Sequence, residues 1–237
     1  MMKRERLKNM TVIYTDTDYL INTDGPLLAS FIEFKKGSRL LDLCTGNGII
    51  PIWLVDRGFR GEAVAIDIQQ DAVILLKRTI KENSLGNISA LHQDMRNYTE
   101  SSKFDIVCCN PPYYVPSRLP VSPNEKRAVS RFSLAGDIED FATAARKNLK
   151  DNGSFYCCFP PGRLQDLLKA FTAVNLHLKR LRFCRHRVDV LPWVMLVEAV
   201  VGNDTSLSVL PDLIVEENGL RNTLFDEIYA MGNENEQ

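Results

Sequence analysis

Short apolar runs rich in Val, Ile and Leu recur along this 237-residue chain, separated by longer stretches with helical spacing of their apolar positions. Runs of four to eight such residues bounded by turn residues predict strands, and apolar positions three and four apart predict helices. Seven strands are expected, at Arg39–Leu43, Ala63–Ile68, Ile88–His92, Phe104–Cys109, Ser154–Phe159, Leu178–Cys184 and Val194–Val201. Helices are expected over Ile49–Arg57, Gln70–Asn83, Ile138–Lys150 and Leu164–Ala173. Pro51 suits a first helical turn, Asp71 suits the dipole at a helix start, and Asn83–Gly86 and Asp151–Gly153 read as helix stops. Such alternation predicts βαβ units, hence an α/β fold with a mostly parallel sheet and helices on both faces.

One stretch breaks the pattern. From Pro111 to Gly136 there are five prolines, Pro111 included, and no convincing element. A loop that long in a compact domain is usually functional or disordered, and this one starts at the end of a predicted strand, where open α/β sheets keep their ligands.

Composition is that of a globular protein, 45% hydrophobic and 25% charged, and its formal net charge of -1 hides an uneven distribution. From Arg163 to Arg187 there are seven basic residues against one acid, whereas from Asp204 to Glu236 there are eight acids against one base. The pairs Cys108–Cys109 and Cys157–Cys158 sit in strand-like runs, where adjacent side chains point to opposite faces, so neither pair can chelate as a unit. Reduced thiols and no metal are expected, in a cytoplasmic protein. No apolar run reaches the ~20 residues of a membrane span, and the basic start lacks the apolar core of a signal peptide.

The first strand runs through Asp42, Cys44, Thr45, Gly46, Asn47 and Gly48 into a helix, an arrangement that turns backbone N–H groups toward a ligand. A dinucleotide site would carry a small residue where Pro51 stands, and Asp42 would oppose a diphosphate. A carboxylate there suits an ammonium group, such as the one on the methionine part of S-adenosylmethionine. Asp67 ends the second strand, followed by Ile68 and Gln69, and its two oxygens can accept from both ribose hydroxyls. Asp94 after the third strand is placed to accept from an adenine amino group, and the Met95 N–H to meet a ring nitrogen.

Asn110-Pro111-Pro112-Tyr113 after the fourth strand is the most specific signal. An exocyclic amine conjugated to a ring or carbonyl is a poor nucleophile, because its lone pair is delocalised. The Asn110 side-chain oxygen and the Pro111 carbonyl could hold its two hydrogens and free that lone pair, with the two prolines fixing the backbone that aims them. Tyr113 would stack on the ring that bears the amine, and Asn110 would also face the cofactor.

With these motifs the sequence resembles the amino-methyltransferases of the small-methyltransferase group, and within it the bacterial valine-tRNA adenine-N6-methyltransferases, which modify the adenosine just 3′ of the anticodon. The resemblance rests on Asn22–Gly25 followed by Leu27 and Leu28, on Leu41–Pro51, on Ile66–Gln69 and on Asn110–Tyr114. It implies a Rossmann-like class I fold of seven strands with the last antiparallel, S-adenosylmethionine as cofactor and tRNA as partner. It also implies that Thr23 and Asp24, by composition only a polar turn, close over the methionine end. Cys44 stands where many methyltransferases have glycine, and Asp67 where the family more often has glutamate. On this reading residues 1–38 form an extension packed on the cofactor site, 39–202 the core, and 203–237 an acidic extension of the same domain. The motif does not choose the substrate, because the enzymes that methylate a release-factor glutamine share it. Those typically place a sizeable helical domain before the core, where only about forty residues precede Leu41 here. A non-catalytic RNA-binding subunit is a third reading. For an RNA, a basic rim of Arg118, Lys126, Arg127, Arg131, Arg180, Arg182, Arg185 and Arg187 is expected around the substrate mouth. Nothing in the sequence indicates the oligomeric state.

Overall fold

The computed structural model describes residues 2–9, 11–111, 136–202 and 206–229. The elements in chain order are β1 (Lys3–Arg6), β2 (Val12–Thr15), α1 (Asp24–Phe31), β3 (Leu40–Leu43), α2 (Ile49–Asp56), β4 (Ala63–Asp67), α3 (Gln70–Glu82), β5 (Ile88–His92) and β6 (Phe104–Cys109). They continue with α4 (Ile138–Asn148), β7 (Leu149–Phe159), α5 (Leu164–Ala173), β8 (Leu176–Arg185), β9 (Val194–Val201), the two-residue strands β10 (Ser208–Val209), β11 (Leu213–Ile214), β12 (Glu216–Glu217) and β13 (Leu220–Arg221), and α6 (Thr223–Tyr229).

The seven expected strands form the body of one sheet in the order β8-β9-β7-β6-β3-β4-β5, in which β9 alone runs antiparallel. Two strands that the sequence pattern did not reveal, β10 and β11, pair parallel to β8 and bring the sheet to nine. The start of the chain, where the sequence pattern predicts no strand, is a hairpin of β1 and β2. Its Val12–Thr15 run is fully buried and is tied to α3, where Thr79 Oγ1 accepts from the Tyr14 N–H and Asn83 Oδ1 from the Val12 N–H. Residues 151–153 do not stop a helix. They lie inside β7, which begins at Leu149 directly after α4.

Alternating side chains divide the core between the two faces of the sheet. Leu40, Cys108 and Cys158 pack with α1, α2 and α6, whereas Leu41, Cys109 and Cys157 pack with α4 and α5. All six cysteines are free thiols. Because β3, β4, β6 and β7 are parallel, their carboxyl ends share one edge, and the loops that leave this edge build the site described next.

Candidate active site

Between β3 and α2 the chain makes a tight turn, with Cys44 at φ 57°, Gly46 at 58° and Gly48 at 85°. A Cβ on Gly48 would fall 2.3 Å from Leu76 Cδ1 of α3, so this position needs glycine for space as well as for conformation. Cys44 holds the left-handed conformation at a cost on the order of 1 kcal/mol, a cost that glycine would not carry.

Asp67 fastens this turn. It is 5% exposed, its Oδ2 accepts from the Gly46 N–H at 2.8 Å and its Oδ1 from the Gln69 N–H at 2.8 Å. One carboxylate thus joins the loops after β3 and β4 at the wall of the cavity described next. The preceding segment is pinned to the same loops. The Asn47 side chain donates to the Tyr19 carbonyl at 3.1 Å, and the Tyr19 hydroxyl donates to Gln69 Oε1 at 2.9 Å.

These loops enclose a cavity of about 380 Å³, lined among others by Asp18, Tyr19, Asn22, Asp24, Cys44, Thr45, Gly46, Asn47, Asp67, Ile68, Gln69, Asn110 and Pro111. That volume is in the range of small-molecule sites. Three aspartates and no Lys or Arg stand among the described lining residues, so the chemistry fits a cationic, hydroxyl-bearing ligand and opposes a diphosphate. The sulfonium, ammonium and ribose groups of S-adenosylmethionine meet those requirements.

Asp42 departs from expectation. It is 0% exposed and does not line the cavity, so no ligand can touch it. Its Oδ2 accepts from Thr45 Oγ1 at 2.5 Å and its Oδ1 from Cys108 Sγ at 3.3 Å. Burial pushes its carboxyl up to about 7, against the two hydrogen bonds and with the help of the charge on Asp67. Asp42 shapes the turn from behind, and the acids able to face an ammonium group are Asp18 and Asp24. Asp24 opens α1, and its Oδ1 accepts from Trp193 Nε1 at 3.0 Å. Burial raises its carboxyl, with the Trp193 bond opposing. Thr23 precedes α1 and caps it with no side-chain hydrogen bond.

A narrow cleft continues from Cys44, Asp67 and Ile68 to Asp94 and Met95. Arg96 chelates both oxygens of Asp94, at 2.6 Å in its shortest contact, and this bonding holds the carboxyl below its usual range. At the other end of the cavity, Asn110 follows β6, and Cys158 Sγ donates to its Oδ1 at 3.0 Å. Burial keeps the Cys158 thiol protonated, well above its usual range. Pro112, Tyr113, Arg118, Lys126, Arg127 and Arg131 lie outside the described residues.

The other four arginines of the expected rim are not gathered at the mouth. Arg180 is turned under α1, bonded to the 1% exposed Glu198, to Glu33 and to the Phe31 carbonyl, with its guanidinium over the Phe31 ring. A bulge between Leu178 and Arg180 also brings Lys179 onto Glu198. Arg182 shares the face of Arg180 and lines a separate groove with Lys8, Trp53 and Arg57. Only Arg185, paired with Asp212, and Arg187, paired with Asp189, stand at the carboxyl end of β8. Sequence reasoning did not single out Asp18, Tyr19 or Trp193, because no motif or spacing joins them to the glycine turn. Among the described residues no cluster of His, Cys, Asp or Glu could hold a metal, and no helix is long and apolar enough to cross a membrane.

A family model described as a methyltransferase small domain matches residues 20–160. Among curated relatives, the tRNA1(Val) (adenine(37)-N6)-methyltransferase of Phocaeicola vulgatus is 27% identical over 218 residues, 88% of each chain. The protein of the same name from Bacteroides thetaiotaomicron is 26% identical over 177 residues, 74% of each chain. Among solved structures, a predicted O-methyltransferase from Agrobacterium tumefaciens superposes with a TM-score of 0.70 at 20% identity, over 86% of this chain and 94% of that one. The Thermus thermophilus 16S rRNA N2 G1207 methyltransferase, in complex with AdoMet and guanosine, gives 0.59 at 19% identity over 85% and 50%.

Proposed function

The chain belongs to the methyltransferase small domain family and is an S-adenosylmethionine-dependent methyltransferase, and we propose that it methylates N6 of an adenine in tRNA, the adenosine 3′ of the anticodon in a valine tRNA. The observation that carries this reading is the meeting of Asn110 and Pro111, at the end of β6, with the acidic cavity built by the glycine turn. The names of the relatives, which span most of this chain, support tRNA as the substrate and adenine N6 as the target.

S-adenosylmethionine supplies the electrophilic methyl group when bound. Asp18 and Asp24 take its ammonium end, Asp67 accepts from the ribose, and Asp94 with the Met95 N–H reads the adenine edge. Asn110 Oδ1 and the Pro111 carbonyl accept the two hydrogens of the substrate amine, drawing its nitrogen toward a tetrahedral geometry. Tyr113 stacks on the base. Positioning then contributes most of the acceleration, and because the nitrogen gives up its proton to water only after gaining the methyl group and a positive charge, no strong base is needed at the amine.

Incubating the protein with radiolabelled S-adenosylmethionine and separate pools of tRNA, ribosomal RNA, DNA and release factor tests this reading. Label in tRNA, recovered as N6-methyladenosine beside the valine anticodon, is the expected result. Label on a release-factor glutamine, or on no substrate, would overturn it.

A further inference from the structure

The β8–β9 connection, residues 186–193, leaves the sheet at the edge that carries the cavity. Its two aromatic side chains are stacked on each other, the His186 and Trp193 ring centroids lying 4.3 Å apart with planes inclined by 18°. The inner ring is bonded into the site: Trp193 Nε1 donates to Asp24 Oδ1, and Asp24 lines the cavity. The outer ring, His186, is exposed. In the same turn Leu191 is 87% and Val188 61% exposed, and the exposed Arg187 is held in a fork by Asp189. The backbone beneath is not loose, because the His186 carbonyl accepts from the Glu216 N–H at 2.9 Å and the Trp193 N–H donates to the Cys184 carbonyl at 3.1 Å.

A flat ring with one open face, backed by an indole, flanked by apolar side chains and one guanidinium, is the chemistry of a stacking site for an unpaired nucleobase. We propose that His186, backed by Trp193, stacks on a base adjacent to the target adenosine, so that the turn holds the strand while the target enters the cavity. The inference rests on the RNA reading above and assigns a separate subsite, for a neighbouring base. Asp24 couples the two, since it faces the cavity and fixes the ring on which His186 rests.

The test uses a hairpin RNA with an unpaired adenosine in its loop, together with versions in which the nucleotide on either side of that adenosine is abasic. His186 is exposed, so its replacement leaves the core intact. His186→Ala should weaken binding of the intact hairpin roughly 5- to 150-fold, the range expected for one lost base stack, and His186→Phe should restore it. On the hairpin that is abasic at the stacked position, wild type and His186→Ala should bind alike, while affinity for S-adenosylmethionine stays equal in all three proteins. Methylation of the hairpin by wild type together with undiminished binding by His186→Ala would overturn the stacking site and leave the RNA reading standing. Failure of wild type to bind or methylate any RNA would overturn both.

Discussion

Replacing Asp67 by alanine separates a residue that only touches a ligand from one that also builds the site. In the structure both oxygens are committed at 2.8 Å, one to the Gly46 N–H and one to the Gln69 N–H. Each is a bond to a charged, nearly buried acceptor, worth about 1.5–3 kcal/mol. The cavity gives water some access to the freed donors, so the lower value applies and the two together amount to about 3 kcal/mol. For a domain of this size, about 3 kcal/mol lowers the melting temperature by roughly 6–12 °C. That loss should be present with no ligand added. If Asp67 also accepts from the ribose, cofactor affinity falls by a further ~10- to 150-fold, at a factor of ten per ~1.4 kcal/mol. Differential scanning fluorimetry without cofactor and calorimetry with it read the two effects separately. An unchanged melting temperature for the cofactor-free Asp67→Ala protein would refute the clamp, and unchanged affinity at a lowered melting temperature would refute the ribose contact.

Asn110→Ala should leave cofactor affinity within about twofold and lower turnover by at least ~10²-fold, because it removes an acceptor used at the reacting nitrogen; single-turnover methyl transfer and calorimetry together check this. The Asp42 carboxyl is raised to about 7 in the fold, so the folded state binds the extra proton. The stability this group contributes is fully present below the unfolded value near 4 and is lost as pH rises toward 7. Asp42→Asn, which keeps an acceptor for Thr45, should therefore gain on wild type by about 1.4 kcal/mol per pH unit across that window, levelling off above it; urea melts at pH 5, 6, 7 and 8 read the slope, and a constant difference refutes it. Glu198→Ala leaves the Arg180 guanidinium without its buried partner and should cost about 3–5 kcal/mol in urea melts, most of which Glu198→Ala combined with Arg180→Met should recover.

The central strands β3, β4, β6 and the second half of β7 were legible because a doubly covered parallel strand must be apolar at nearly every position, and such runs stand out against helical spacing. What escaped was held by partners distant in sequence. The run 149–153, with Lys150, Asp151 and Asn152, looks like a helix exit, yet Leu149 already pairs with Phe104 and Ser154 with Ile106, so residues 150–153 form an irregularity inside β7, with the Lys150 ammonium on Asp105 at 2.7 Å. Asp42 offers the same lesson within the site. Its position at a strand end is that of a ligand-facing acid, but the Thr45 hydroxyl and the Cys108 thiol, one three and the other sixty-six residues away, claim both oxygens from behind the turn.

The basic block shows why charge along a sequence is a weak guide to where RNA lies. Four arginines spaced over eight residues looked equivalent, and strand alternation correctly put Arg180 and Arg182 on one face. Which face meets solvent is decided by what covers it: α1 supplies the Phe31 ring, the segment after it supplies Glu33, and β9 supplies Glu198. Arg180 therefore spends its charge on a buried carboxylate that would otherwise be costly to enclose. Neutralising it should destabilise the fold without changing the salt dependence of RNA binding, whereas each described arginine at the carboxyl end of β8 that contacts a phosphate should lower the salt slope by about 0.7 when neutralised. Salt titrations of hairpin RNA with Arg180→Met and Arg187→Gln measure the difference, and a reduced slope for Arg180→Met with Arg187→Gln unchanged would put the strand on the α1 face instead.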